Sequence, residues 1–172
     1  MANNKKSTKA IPVLVAIVIT TMTIASLNNS SALLPMASAQ SKPDNVLGTI
    51  ASIQNGKDGK PAWVTSGVLD FKNLNSNSPM FNATFNMFML DGSAAHKHTI
   101  TDFKMTGSPS TNGNTTTYNG TATVSLKAGP AKDVPISIKL MDDSAVSIWI
   151  DPSKTENHFG NTPIYGAQHR IA

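Results

Sequence analysis

The stretch Phe81 to Asp91, FNATFNMFMLD, constrains the fold more than any other. Phe81, Ala83, Phe85, Met87 and Met89 share one parity, while Asn82, Thr84 and Asn86 share the other. Successive side chains of a strand point to opposite faces, whereas a helix would scatter these apolar residues around its circumference. The segment is therefore read as a strand with one face in a core. Phe88 and Leu90 add apolar weight to the second face, so the far end is expected to be covered on both sides. The run MFML invites a copper–thioether reading, but methionine filling an irregular core is the simpler account.

The same period recurs along the chain. Val46 to Gln54 and Ala62 to Phe71 read as strands. Trp63 and Val68 fall on opposite parities, so Gly67 is expected to mark a bulge. Thr115 to Leu126 presents Tyr118, Ala122, Val124 and Leu126 on one face. Val134 to Met141 and Ala145 to Ile150 read as a hairpin turning at Asp142-Asp143-Ser144, with Trp149 on the opposite parity from Ile148, either covering a second layer or exposed at an interface. The segments KNLNSNSP (72–79) and SPSTNGN (108–114) are loops by composition. Pro163 to Gly166 is expected as a short edge strand in an otherwise loop-like tail. Pro135 and that tail would protect the sheet's edges. After the leader no apolar helical period lasts beyond two turns. The expected fold is all-β: a single antiparallel β-sandwich or small barrel of about seven strands.

Residues 1–39 have the layout of a signal peptide. Lys5, Lys6 and Lys9 precede the apolar run Ala10 to Leu27, and Ala37-Ser38-Ala39 supplies an A-x-A cleavage pattern. Pro12 and the A-x-A site favour cleavage over an uncleaved membrane anchor, and cleavage would leave a domain of residues 40–172. The expected location is the cell surface or the medium outside. All 10 acidic residues follow Ala39, as do 11 of the 14 basic ones, so the domain's net charge is 11 − 10 = +1. That balance does not favour nucleic acid as a partner. The chain has no cysteine, which removes disulfides, thiolate metal sites and a cysteine nucleophile together.

His96 and His98 form a His-x-His pair at the start of the strand His96 to Thr106. Residues i and i+2 of a strand share a face with Cα atoms about 6–7 Å apart, so two imidazoles there can meet on one ion. His158 is the natural third ligand, and His169 or Asp102 a fourth. Imidazole without thiolate suits Cu²⁺ or Zn²⁺. Thr99, Thr101, Phe103 and Met105 carry the apolar weight of this strand, so the histidines are expected to face solvent or a cleft at the sheet's edge. Asp142, Asp143 and Asp151 offer a rival calcium site, although no D-x-D-x-D-G loop is present. Asp91 and Asp102 could be proposed as an acid–base pair, but nothing in their spacing brings them together. No G-x-S-x-G elbow is present, and no catalytic residue is assigned.

Three sequons follow the leader, at Asn82, Asn114 and Asn119, and agree with solvent-facing positions in a surface protein. The leader, the segment GSAAHKH (92–98) and the tail NHFGNTPIYG (157–166) resemble small exported, functionally uncharacterised proteins of ammonia-oxidising archaea. The resemblance implies export and favours copper over zinc; it carries no catalytic residues. The resulting expectation is an exported binding or surface protein with a Cu or Zn site. The alternatives are a structural or adhesive envelope component, with an envelope protein or polysaccharide as partner, and a metal-dependent hydrolase or lyase.

Overall fold

The structure is a computed structural model that describes residues 43–56 and 58–171; the signal-peptide reading of residues 1–39 lies outside them. Nine strands follow one another: β1 (Asn45–Asn55), β2 (Pro61–Lys72), β3 (Met80–Met89), β4 (His96–Met105), β5 (Ser110–Asn112), β6 (Thr115–Val124), β7 (Ala131–Met141), β8 (Ala145–Ile150) and β9 (Ile164–Ile171). Every pairing is antiparallel. The order β4-β3-β2-β1-β9-β8-β7-β6 closes through a β4–β6 pairing, and β5 extends β6 as a short hairpin partner. The architecture is an eight-stranded closed barrel with one extra strand.

An eight-stranded barrel has an interior just wide enough to be filled by its own side chains. Here the filling is mainly apolar, with Gln54, Thr65, His98 and Gln168 among the buried polar residues. Phe71, Phe81, Phe103 and Tyr118 pack edge to face toward one end, with Phe71–Tyr118 centroids 4.8 Å apart. Ile100, Val124, Ile138, Leu140 and Ile148 continue the core. The alternation expected for β3 holds: Phe81, Ala83, Phe85 and Met87 are buried and Asn82 and Asn86 exposed. The far end of β3 is not covered on both sides, because Met89 and Leu90 are exposed.

Further expectations are corrected. The tail is not loop with an edge strand: β9 runs eight residues and lies between β1 and β8. Closure also leaves no barrel edge for Pro135 to guard, and that residue pairs with Thr121 inside the wall. The 108–114 stretch contributes β5, which composition concealed because its three residues are all exposed. Trp149 is half-buried on the outer wall, opposite Ser137, rather than exposed.

Another correction concerns Gly67, where no bulge occurs. Both ladders run through it unbroken, with Gly67 opposite Ile50 and Phe85. Trp63, Thr65, Leu69 and Phe71 keep the inward parity, and Val68 is simply exposed. Glycine is needed here for close approach, since an added Cβ would overlap the Thr84 carbonyl oxygen and the Phe85 backbone. Gly67→Ala is expected to cost about 1–3 kcal/mol by forcing β2 and β3 apart, measured as a shift of the urea midpoint. An unchanged midpoint would refute the close-approach reading.

Candidate metal centre

The sequence misleads most in β4. Its pairing with β6 steps from Thr101↔Thr123 to Lys104↔Thr121, so β4 carries one residue more than its partner there. Asp102 takes up the excess at φ 56°, a left-handed value open to a short polar side chain. The extra residue switches the inward parity. Before the bulge the even set faces the core, and His98 and Ile100 are 2% and 0% exposed. After it, Phe103 faces the core. The odd-numbered apolar residues suggested the opposite face for the histidines; in fact His98 is buried inside the barrel.

Four connections gather at the end of the barrel where β4 begins: β1–β2, β3–β4, β6–β7 and β8–β9. The last, residues 151–163, carries His158. Asp151 caps a 3-10 turn (Pro152–Lys154) by accepting from the Ser153 N–H at 2.9 Å. Thr155, fully buried, donates through its hydroxyl to the Asp151 carbonyl. Glu156 and Asn157 then adopt consecutive left-handed conformations, at φ 52° and 57°. This reversal delivers His158 over the barrel and Phe159 into it; Phe159 is 2% exposed and touches Phe85 and His98. Downstream, the buried Gln54 pins the loop: its Nε2 donates to the Pro163 carbonyl and its Oε1 accepts from the Thr162 hydroxyl at 2.8 Å.

His96, His98 and His158 meet at this end. The Nε2 of His158 lies 3.0 Å from Nε2 of His98 and 3.2 Å from Nε2 of His96, and all three ligand atoms lie within 4.8 Å of one another. Two imidazole nitrogens on one tetrahedral ion at about 2.0–2.1 Å would stand about 3.4 Å apart. The remaining ring nitrogens fix the tautomers. His98 Nδ1 is 2.7 Å from the Ser125 carbonyl, and His96 Nδ1 is 2.7 Å from the Ala94 carbonyl. A carbonyl oxygen only accepts, so both Nδ1 atoms carry hydrogen and, in the neutral rings, both Nε2 atoms present lone pairs. The single Nε2 hydrogen that a neutral His158 can carry cannot fully satisfy both. A metal ion satisfies all three nitrogens at once, and the carbonyl partners are the kind of outer support that metal-bound histidines use.

The surroundings disfavour the charged form of His98 and His158. Burial, only partly offset by the Ser125 hydrogen bond, lowers the His98 pKa from 6.5 to about 4, with His158 and His96 adding to the lowering. His158 is lowered too, by partial desolvation among its neighbours first and by His96 next, against a raising influence from Glu156. Neutral imidazole is the ligand form. The same shift has a stability consequence for the metal-free protein. Between pH 6.5 and about 4 the unfolded chain binds a proton at this position that the folded chain refuses, so stability falls as pH falls through that window. The expected loss is at most about 3 kcal/mol, flat above pH 7, and removed in His98→Asn. Urea midpoints across pH 4–8 that stay parallel for the two proteins would contradict it.

The other sequence candidates lie apart. His169 is exposed on the outer face of β9, opposite Leu47 and toward the other end of the barrel. Asp102 is exposed at the bulge, bonded to the Thr101 hydroxyl. Asp142 and Asp143 occupy the β7–β8 turn, where Asp143 pairs with Arg170, and the length of β8 separates them from Asp151. Asp91 is held by Ser93 in the β3–β4 turn. Sequence reasoning missed Phe159, Gln54 and Trp63, whose ring meets His96 edge to face at 5.6 Å. An aromatic next to a tail histidine was the available signal for Phe159; the supporting carbonyls leave none.

Comparison with family models, with curated proteins and with solved structures found no match. Fold and site alone define the class: a closed antiparallel β-barrel with a three-histidine cluster at one end that could hold a metal ion.

Proposed function

We propose that the protein is an exported binding protein that holds Cu²⁺ or Zn²⁺ at His96, His98 and His158. The observation that carries this reading is the convergence of three Nε2 atoms, two of them oriented by Nδ1–H contacts to main-chain carbonyls. The leader pattern of residues 1–39 and the resemblance to exported archaeal proteins support the location. A nitrogen-only site prefers Cu²⁺ to Zn²⁺ by the general affinity order of divalent ions, and the resemblance points the same way.

Titration of the purified protein with Cu²⁺ and with Zn²⁺ tests the proposal. One equivalent should bind, copper should displace zinc, and saturation at a thousand times Kd should stabilise the fold by about 4 kcal/mol. Absence of stoichiometric binding to either ion would sink it. A second reading, a structural or adhesive envelope component, draws on Leu47, Ile53, Val68 and Tyr165, all exposed on the outer wall of β1, β2 and β9. That reading predicts self-association, or binding to envelope protein or polysaccharide, that survives chelator.

A further inference from the structure

Three imidazoles do not complete a coordination shell. Among the described residues no fourth His, Asp or Glu joins the cluster. The three ligands are also unequally covered: His98 is the buried floor, His96 is half-buried and His158 is exposed. Closed structural zinc sites use four protein ligands, whereas three leave a position for an incoming donor.

A groove of about 410 Å³ adjoins the cluster between the β1–β2 turn and the 156–161 loop, and His158 and Trp63 form part of its wall. That volume suits a small ligand. Asn55, Asn157 and Asn161 also line it, and their side-chain amides make no hydrogen bond to other described residues. Glu156 is the only charged side chain in the lining among the described residues. Three neutral imidazoles leave the charge of a divalent ion uncancelled, and one carboxylate offsets only part of it. A small monoanion completes the balance. A polyanion such as phosphate would meet Glu156 with no described arginine or lysine in the groove's own lining; Lys127 lines a separate neighbouring cavity, which Glu156 and His158 also wall.

We propose that an ion held by His96, His98 and His158 keeps one exchangeable position toward this groove, and that the position takes a small carboxylate. One carboxylate oxygen binds the ion while the other accepts from an asparagine amide. The inference rests on the metal reading above and extends it from storage of an ion to recognition of a ligand through the ion.

The test uses the purified protein carrying one equivalent of Cu²⁺, with azide as the spectroscopic probe and acetate as competitor. Azide should produce a saturable azide-to-copper absorption band and a shifted EPR spectrum. Acetate should displace it. Glu156→Gln, which removes one negative charge and keeps the side-chain shape, should tighten azide about threefold at low salt, a difference that shrinks as salt rises. Stoichiometric copper with a spectrum that azide leaves unmoved would overturn the open position. Azide binding that acetate fails to reverse would overturn the carboxylate assignment. Failure to take up copper would remove the metal reading itself, and this inference with it; the copper content of the starting sample separates that case from the other two.

Discussion

His98→Ala is expected to abolish tight Cu²⁺ or Zn²⁺ binding, weakening it by at least about 100-fold, since loss of a mere outer-sphere partner already costs about 10–100-fold. His98 is the ligand that the barrel itself immobilises. Its ring packs against both Phe85 and Phe159, with centroids 5.6 and 4.8 Å away, and its Nδ1–H is committed to the Ser125 carbonyl. No neighbouring side chain can take over that position without rebuilding the barrel's interior. Quenching of Trp63 fluorescence by Cu²⁺ gives a direct readout, because this indole contacts the His96 ring. His169→Ala is the matched control and should bind as the parent does, because His169 sits on the outer wall. Equal affinities in the two variants would show that the cluster is not the binding site.

Phe159→Ala should have the largest effect on stability. The side chain is 2% exposed and closes one end of the barrel over Phe85 and His98. Truncating a buried phenylalanine costs about 3–5 kcal/mol, which for a domain of this size lowers Tm by roughly 10–20 °C. The same change loosens the neighbouring His158, so metal affinity should fall with stability, by about 10–100-fold on the scale of lost ligand support. His158→Ala separates the two roles: the ring is exposed, so metal binding should be lost while Tm of the metal-free protein stays within a few degrees. A Phe159→Ala protein melting with the parent would mean that the loop is not anchored through this ring.

Period-two patterning made the strands legible because an all-antiparallel barrel with an apolar interior writes its inside and outside on alternate residues. Phe81 to Met87 and Val134 to Leu140 are the clearest cases. The choice between sandwich and barrel could not be read, since it depends on β4 pairing with β6 across a hairpin that leaves no local mark. β9 was underestimated because its Gly166, buried Gln168 and exposed Ala167 and His169 blur the alternation. At the site, the His-x-His spacing and the choice of His158 were accessible from residue type and position. The face they occupy was not: it is set by one extra residue at Asp102, which ordinary polar composition conceals. Nor could the tautomers be read, because main-chain oxygens of Ala94 and Ser125 set them.

The position of β9 between β1 and β8 bears on how the protein is made. The strands that open and close the element order are direct neighbours, with Val46 opposite Arg170 and Ile50 opposite Gly166. A nascent chain lacking residues 164–171 carries two unpaired edges, on β1 and β8, and cannot close. Pairing of such distant segments also carries a large loop-closure entropy, which slows folding relative to local hairpins. The closed circle of hydrogen-bonded strands therefore forms only after β9 has been supplied. The connection that carries His158 runs directly into β9, so the placing of the third histidine over β4 is tied to the docking of the last strand.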